Sequence, residues 1–483
     1  MNSTLSLSLL CFLFTISLHA QPSLNNRPKI GLTLSGGGAK GLAHIGILKA
    51  LDSAGLQVDY ITGTSMGAVV ASLYAAGYSG DTISKIAEKI DWNGLLLSRP
   101  PMNLFIMEQK SEYGRYAVEI PFANGRIKAP TGILESEELW LKFNELFYPV
   151  YNVHDFDSLP RGFRCVATDV VTGEAVVLSQ GSLPSAVRAS MSIPTIFTAV
   201  DYNDSLRLID GGVIRNFPVR DVKEMGADII IGSTVAPFTQ AKAKDVASPM
   251  QILLNVAFFR DHEYSRQDIE LCDYLIRHPL SGYSTGSFSS SDSIMAIGDR
   301  TGALNYPSFK KIADSLNRIY GPPLARKLPP SADRITIRRI ITDSLKYIQR
   351  PFLMRMLGLQ EGQAYSATEL ETSMRQAFGT RYFTRLFYRL EPVGPGVADL
   401  RLVAEEFAPA TLKLAIHYNS FSKIMLIGNL TKRDMIGRNS MTGITFGLSE
   451  NPRLRFEHTA VLGSARFPLA SVTERSRYFI LNP

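Results

Sequence analysis

Val58-Asp59-Tyr60-Ile61-Thr62-Gly63-Thr64-Ser65-Met66-Gly67-Ala68-Val69-Val70 is the stretch from which the fold of this chain can be read. Val58–Thr62 has the apolar, β-branched character of a short strand, and Met66–Ala76 reads as a small-residue helix ending at Gly77. Between them, Gly63-Thr64-Ser65-Met66-Gly67 has the G-x-S-x-G spacing of a sharp strand-to-helix turn, which needs small residues on both sides of the serine. Ser65 is then presented at the positive end of a helix, which favours its alkoxide. Taken alone, the five residues also admit a chance match.

Upstream, Gly36-Gly37-Gly38-Ala39-Lys40-Gly41 follows the apolar run Ile30–Leu34 and precedes helical spacing over Leu42–Leu51. Glycines in this G-x-G-x-x-G spacing let backbone N–H groups turn toward an anion at a helix start. A nucleotide pyrophosphate or a transient oxyanion would serve equally, and the serine elbow decides for the oxyanion. Downstream, Asp210-Gly211-Gly212 closes the apolar run Leu206–Ile209. An Asp at a strand end before two glycines permits close backbone approach; a turn Asp satisfying local N–H groups is the plainer reading.

A serine nucleophile needs a base. In a hydrolase triad the chain order is Ser, acid, His. The histidines after Asp210 are His262, His278, His417 and His458, of which only the first two lie in the same region. His262 sits in the helical stretch Asn255–Tyr264 and His278 precedes Pro279, and neither context looks catalytic. His44, on the helix after the glycine loop, reads as a packed or cap-proximal residue. The expectation is a Ser65–Asp210 dyad with Asp210 as general base. With no EF-hand loop and no H-E-x-x-H pattern in this region, no metal or cofactor is expected.

The 483 residues, 45% apolar and 20% charged, suggest about three domains and exclude a disordered, collagen-like or wholly coiled-coil chain. The net charge of +7 comes without a basic cluster or reading motif, so no nucleic-acid partner is expected. Three cysteines exclude a disulfide framework and a Cys-rich zinc site. Residues 1–20 carry no charged side chain, are apolar over Leu5–Leu18, and end Leu18-His19-Ala20 before Gln21. This reads as a secretory signal peptide, with an uncleaved anchor as the alternative. Cys11 goes with the signal, and Cys165 and Cys272 read as core thiols.

Residues 28–318 alternate short apolar runs with helical patterns, further strands falling over Arg164–Asp169, Ala175–Leu178, Leu206–Ile209 and Asp228–Gly232. That implies an α/β fold with a mainly parallel sheet covered on both sides. Pro322-Pro323 and Pro329-Pro330 mark a linker, 319–332. Residues 333–405 read as a small α+β module with strands Arg334–Ile341, Tyr382–Leu390 and Asp399–Val403 and a helix Thr368–Ala377. Over 409–483 the period becomes two: Leu412, Leu414, Ile416 and Tyr418 alternate with Thr411, Lys413, Ala415 and His417. Apolar-out, polar-in alternation is the signature of a membrane β-barrel strand, with a soluble meander as the alternative. Four or five strands fall short of the roughly eight with which such barrels begin, so the chain reads as stopping inside one.

The three motifs in order resemble those of the patatin-like phospholipases, lipid acyl hydrolases with a Ser–Asp dyad and no catalytic His. Ala189–Phe197 resembles the block ahead of the family's catalytic Asp, and Ala167-Thr168-Asp169 and Asp210–Pro218 continue the likeness over 28–318. The resemblance implies Ser65 as nucleophile and Asp210 as its proton acceptor. It implies an oxyanion hole from the loop Gly36, Gly37, Gly38, Ala39, Lys40 and Gly41, chiefly around Gly37 and Gly38. Lys40 stands at the family's basic position and either meets anionic headgroups or developing charge, or is a solvated helix-start lysine. Met66, Leu95-Leu96-Leu97 and Ile106-Met107 are candidates for an acyl channel, with core packing as the plainer role.

Residues 333–405 resemble a single POTRA module, and residues 409–483 the start of a surface-antigen-type outer-membrane barrel. The combination resembles the patatin-like autotransporters of Gram-negative bacteria. It implies a phospholipid or other acyl-lipid substrate cleaved through an acyl-enzyme. It also implies an outer-membrane location with the hydrolase domain periplasmic or at the cell surface, and self-association into a homo-oligomer. The alternatives are an outer-membrane assembly or translocation factor with a patatin-like binding domain, and acyl transfer in place of hydrolysis.

Overall fold

The computed structural model describes residues 27–96, 116–236, 267–323 and 333–480, apart from Ile252 outside these spans and shorter breaks within them. The expected signal peptide, His262, Leu97, Ile106 and Met107 lie outside the described residues, as does most of the expected linker.

The strands in chain order are β1 (Ile30–Leu34), β2 (Tyr60–Thr64), β3 (Val118–Ala123), β4 (Arg126–Ile127), β5 (Gly162–Asp169), β6 (Ala175–Leu178), β7 (Val200–Tyr202), β8 (Leu206–Asp210), β9 (Ile229–Thr234) and β10 (Tyr274–Arg277). Helices α1 (His44–Ala54), α2 (Met66–Ala75), α3 (Gly80–Lys89), α4 (Trp92–Leu96), α5 (Glu137–Leu146), α6 (Leu183–Ser190), α7 (Val219–Glu224) and α8 (Ser291–Tyr320) accompany them. The first sheet runs β10-β9-β1-β2-β5-β8-β7, with β6 off β5. From β10 to β5 every pairing is parallel, whereas β5–β8, β8–β7 and β5–β6 are antiparallel. Four of these seven pairings are parallel, so the sheet is mainly parallel as expected, with an antiparallel end.

Ile30, Leu32 and Leu34 of β1 are buried, and so is Thr33 between them. A strand buried on both faces is what a covered parallel sheet demands. Strand β2 begins two residues later than the expected Val58. Asp59 is used instead to tie the strand's start: its N–H donates to the Ile30 carbonyl and its carboxylate accepts from the Ile30 N–H. The carboxyl ends of β1 and β2 lie side by side, with Leu34 opposite Gly63. Helix α8, 30 residues long, crosses α1 closely; a Cβ on Gly46 would lie 2.1 Å from the Gly298 carbonyl carbon. At the far end of α8, the Arg27 guanidinium donates to the Gly321 carbonyl at 2.7 Å and to Asn317 Oδ1 at 3.0 Å.

The second sheet comprises β11 (Ile335–Thr342), β12 (Ala364–Tyr365), β13 (Phe383–Gly394) and β14 (Val397–Glu406), in the order β12-β11-β14-β13. Helices α9 (Arg350–Leu357) and α10 (Ala367–Gly379) pack on it. Ser366 and Glu369 close a capping box at the start of α10. The third sheet is an antiparallel meander of β15 (Ala410–Asn419), β16 (Lys423–Arg433), β17 (Ser440–Leu448), β18 (Arg453–Leu462) and β19 (Ala470–Ile480). It also takes in β3 and β4: β3 pairs with β15, Val118 opposite Leu414 and Phe122 opposite Ala410. Residues 118–127 therefore leave the expected 28–318 unit for the third sheet. Their own pattern explains it, since Val118, Ile120 and Phe122 continue the apolar alternation of Leu412 and Leu414.

Candidate active site

Ser65 stands at the carboxyl end of β2 with φ 54° and ψ −127°. A non-glycine residue with positive φ is strained, and such strain is held only where the surroundings over-determine it. They do so here. A Cβ on Gly63 would lie 2.5 Å from the Gly67 carbonyl oxygen, and one on Gly67 would lie 2.5 Å from the carbonyl oxygens of both Leu34 and Ser35. The Ser65 N–H donates to Ser190 Oγ at 3.1 Å, and the Ser190 hydroxyl donates to the Val166 carbonyl at 2.6 Å. The elbow is thus fastened to β5 by a residue of α6.

Asp210 ends β8 and is 1% exposed. In the ladder Thr64 faces Val166, and the next residue of β5, Ala167, faces Asp210. Ser65 and Asp210 therefore flank one strand at the same level, about 10 Å apart along the backbone given two interstrand spacings. Asp210 Oδ1 accepts the Gly212 N–H at 2.7 Å, and the Asp210 N–H donates to the Ser192 carbonyl at 2.8 Å. A Cβ on Gly211 would lie 2.1 Å from the Val166 carbonyl oxygen, so the turn after Asp210 rests directly on β5.

The glycine loop closes the constellation. The Gly36 N–H donates to the Asn216 carbonyl at 3.0 Å, and a Cβ on Gly36 would lie 3.1 Å from Ser65 Cβ. The Ala39 N–H donates to the Thr285 carbonyl at 2.8 Å. Among the described residues the N–H groups of Gly37 and Gly38 donate to no protein acceptor. Gly38 has φ 55° and presses on the Thr285 carbonyl, a position no side chain fits. The loop enters a short 3-10 turn, Gly38–Ala43, before α1 begins at His44. Lys40 is buried rather than a solvated helix-start lysine, and burial lowers the pKa of its ammonium.

Two histidines that the sequence leaves without a role meet behind this loop. His44 Nε2 lies 3.0 Å from the Ser35 carbonyl and Nδ1 lies 2.8 Å from Ser233 Oγ, which in turn lies 3.0 Å from His278 Nε2. A carbonyl only accepts, so His44 carries its proton on Nε2. Nδ1 then accepts from the Ser233 hydroxyl, and that oxygen accepts from His278 Nε2–H. Burial holds His44 at about 4 and, with His44 beside it, His278 at about 3, so both stay neutral. Among the described residues no histidine hydrogen-bonds Ser65.

Beside the elbow lies a small apolar pocket. Met66, next to Ser65, lines it together with Leu42, Leu95, Leu96, Phe143 and Met191. Leu95 and Leu96 were among the channel candidates. The α5 wall escaped the sequence reading because five of the helix's ten residues are Glu, Lys or Asn, three of which are buried nonetheless.

Residues 32–223 match the family model described as patatin-like phospholipase. Lysophospholipase nte1 of Aspergillus fumigatus is 28% identical over 294 residues, covering 56% of this chain and 18% of that protein. Two uncharacterised NTE family proteins of Mycobacterium bovis are 29% identical over 221 residues (46% of this chain, 53% of that protein) and 32% over 192 residues (39% and 27%). The chain thus spans about half the length of one of these relatives and less of the others. Among solved structures, VipD from Legionella pneumophila aligns at 15% identity and a TM-score of 0.33, covering 59% of this chain and 67% of that one. At that TM-score the alignment places no constraint on this chain. The match to the patatin-like phospholipase model takes in about two fifths of the chain, Ser65 and Asp210 included.

Proposed function

We propose that this chain is a serine lipid acyl hydrolase of phospholipase A type, working through a Ser65–Asp210 dyad. The observation that carries the reading is a strained serine elbow beside two unused backbone N–H groups and an apolar cavity starting at the next residue, Met66. Ser65 Oγ attacks the ester carbonyl, and Asp210 accepts its proton. The N–H groups of Gly37 and Gly38 receive the oxyanion; losing one such donor typically costs about 2.7–4 kcal/mol of transition-state stabilisation. The leaving alcohol takes the proton from Asp210, giving an acyl-enzyme whose fatty chain occupies the cavity. Water, deprotonated by Asp210, attacks the acyl carbon, and the proton passes from Asp210 to the departing Ser65 Oγ as the acid is released. His44, Ser233 and His278 are positioning residues that hold the Ser35 carbonyl and with it the start of the oxyanion loop.

On this proposal residues 333–405 are a POTRA-type module and the third sheet is an outer-membrane barrel segment that tethers the enzyme after secretion by a signal peptide. The polarity of the third sheet supports that part. Ile416 and Tyr418 are 70% and 76% exposed and pair with the exposed Leu426 and Ile424, while Asn429 on the opposite face is fully buried and bonded to Thr445. Apolar outward and hydrogen-bonded polar inward is what a lipid-facing barrel wall needs.

The test is fatty-acid release from phospholipid vesicles by the full chain, beside Ser65→Ala and Asp210→Asn, with and without a calcium chelator. Release abolished in both variants and indifferent to the chelator is the expected result. Release that survives Ser65→Ala would overturn the dyad. Transfer of the acyl group to an added alcohol in preference to water would make the enzyme an acyltransferase.

A further inference from the structure

Helix α5 divides its faces between two parts of the molecule. Leu139, Phe143 and Leu146, at i, i+4 and i+7, form one stripe and wall the apolar cavity beside Ser65. The rest of the helix is bound to the second sheet and its helices. The Glu137 carboxylate accepts the Leu386 N–H at 3.0 Å, and Asn144 Nδ2 donates to the Tyr388 carbonyl at 2.8 Å. Both partners belong to β13, an edge strand of the second sheet, so two side chains of α5 satisfy backbone groups that no further strand covers. The Trp140 ring stacks on Phe387, with centroids 4.1 Å apart and planes within 3°. Arg375, from α10, donates twice to Glu138 Oε2, at 3.0 and 2.6 Å. Leu141 is packed into the core of the second module.

The two attachments differ in kind. Toward the module, α5 is held by directional hydrogen bonds and a ring stack, which fix its rotation and its position along its axis. Toward the cavity it offers apolar side chains, which have no directional preference, and a single hydrogen bond, from the Tyr78 hydroxyl to the Leu146 carbonyl at 2.7 Å. Most of the directional contacts that place the wall are therefore on the module side.

We infer that the second module sets the acyl-chain length this enzyme prefers, by holding α5 as the wall of the cavity. The inference rests on the acyl-hydrolase reading above. Each methylene lodged in an apolar cavity favours binding by about fourfold, and a chain that outgrows the cavity gains nothing more. Releasing the wall changes where that gain stops and leaves the chemistry at Ser65 alone. Arg375 and Phe387 belong to the module and line neither the cavity nor the elbow, so they are the residues to change.

The experiment measures kcat/KM of the full chain on p-nitrophenyl acetate, octanoate and palmitate, for the wild type, Phe387→Ala and Arg375→Ala. The expected result is acetate hydrolysis within twofold of wild type in both variants, with the palmitate-to-octanoate ratio shifted at least tenfold in Phe387→Ala and in the same direction in Arg375→Ala. A ratio unchanged in both variants, or acetate and long-chain activity falling together, overturns the inference. Should either alanine variant fail to fold, Arg375→Lys decides, because it keeps a cation beside the buried Glu138 and Glu371 while losing the twofold donation to Glu138. Leu139→Ala, within the wall, separates the two levels of the argument. If it too leaves the chain-length profile untouched, the cavity is not the acyl site and the inference fails at that step, whereas acetate hydrolysis that survives Ser65→Ala would show that the parent reading has failed.

Discussion

The first and third sheets use similar residues for opposite ends. In β1 of the first sheet Leu32 and Thr33 point to opposite faces and both are fully buried. In the third sheet the alternation separates an exposed apolar face, with Ile416 and Tyr418, from a buried one that mixes polar groups such as Asn429 with Met425 and Ile427. Chain that buries both faces spends its apolar surface on its own core. Chain that exposes its apolar face leaves that surface to another medium. The glycines follow the same division. Gly67 is pressed against two backbone carbonyls, whereas a Cβ on Gly428 would meet only the half-exposed ring of Phe446, 2.2 Å away.

The widest separation between the sheets concerns activity. Ser65→Ala is expected to lower ester hydrolysis about 10⁴-fold or more with an unchanged melting temperature. Asn429→Leu, in the third sheet, should leave kcat/KM as it is. Equal losses from the two would erase the division. Next comes the glycine pair. Gly67→Ala should destabilise by about 3 kcal/mol, because its neighbours are carbonyls that cannot move aside, and Gly428→Ala by less than about 1, because a ring can turn. Denaturant midpoints compare them directly.

Acid should act on the first sheet before the third. His44 titrates at about 4 in the folded chain and near 6.5 unfolded. Its contribution is fully present above pH 6.5 and is lost as the pH falls through 4, because the unfolded chain takes the proton first. The loss amounts to about 3 kcal/mol. Urea titrations from pH 7 to 4 should show it, and His44→Gln should flatten the slope. A charge on the outward face tests the other side of the comparison. Leu426→Asp should cost about 2 kcal/mol for the protein in bilayers, whereas a water-facing sheet would tolerate or even welcome it. The smallest effect lies in the module between the two sheets. Ser366→Ala removes the hydroxyl of the capping box and should cost about 1 kcal/mol, read by thermal melting, without touching activity.

What could be read from the sequence was local. The elbow, the glycine loop and Asp210-Gly211-Gly212 are each a few residues whose spacing states a backbone requirement, and the close approaches at Gly63, Gly67 and Gly211 explain those spacings. What escaped was assembled across the chain. Ser233 lies 189 residues from His44 and 45 from His278, so no window of sequence holds the three together. Strand β3 looked like part of the hydrolase because its partner, β15, comes almost three hundred residues later. The antiparallel turn-back at β8 was hidden for the same reason: alternating elements suggest crossovers but do not reveal which neighbour a strand takes. Helix α5 mixes apolar residues with Glu137, Glu138 and Asn144, and nothing in its own pattern says that these polar groups are buried against a second body.

The clasp at Arg27 has a mechanical meaning. Its guanidinium joins the chain just ahead of β1 to the final turn of α8, at Asn317 and Gly321. The first sheet and its helices therefore begin and end at one point. A load on the later chain reaches them by two kinds of route, end to end through that clasp and sideways through the attachments of β3 to β15 and of α5 to β13.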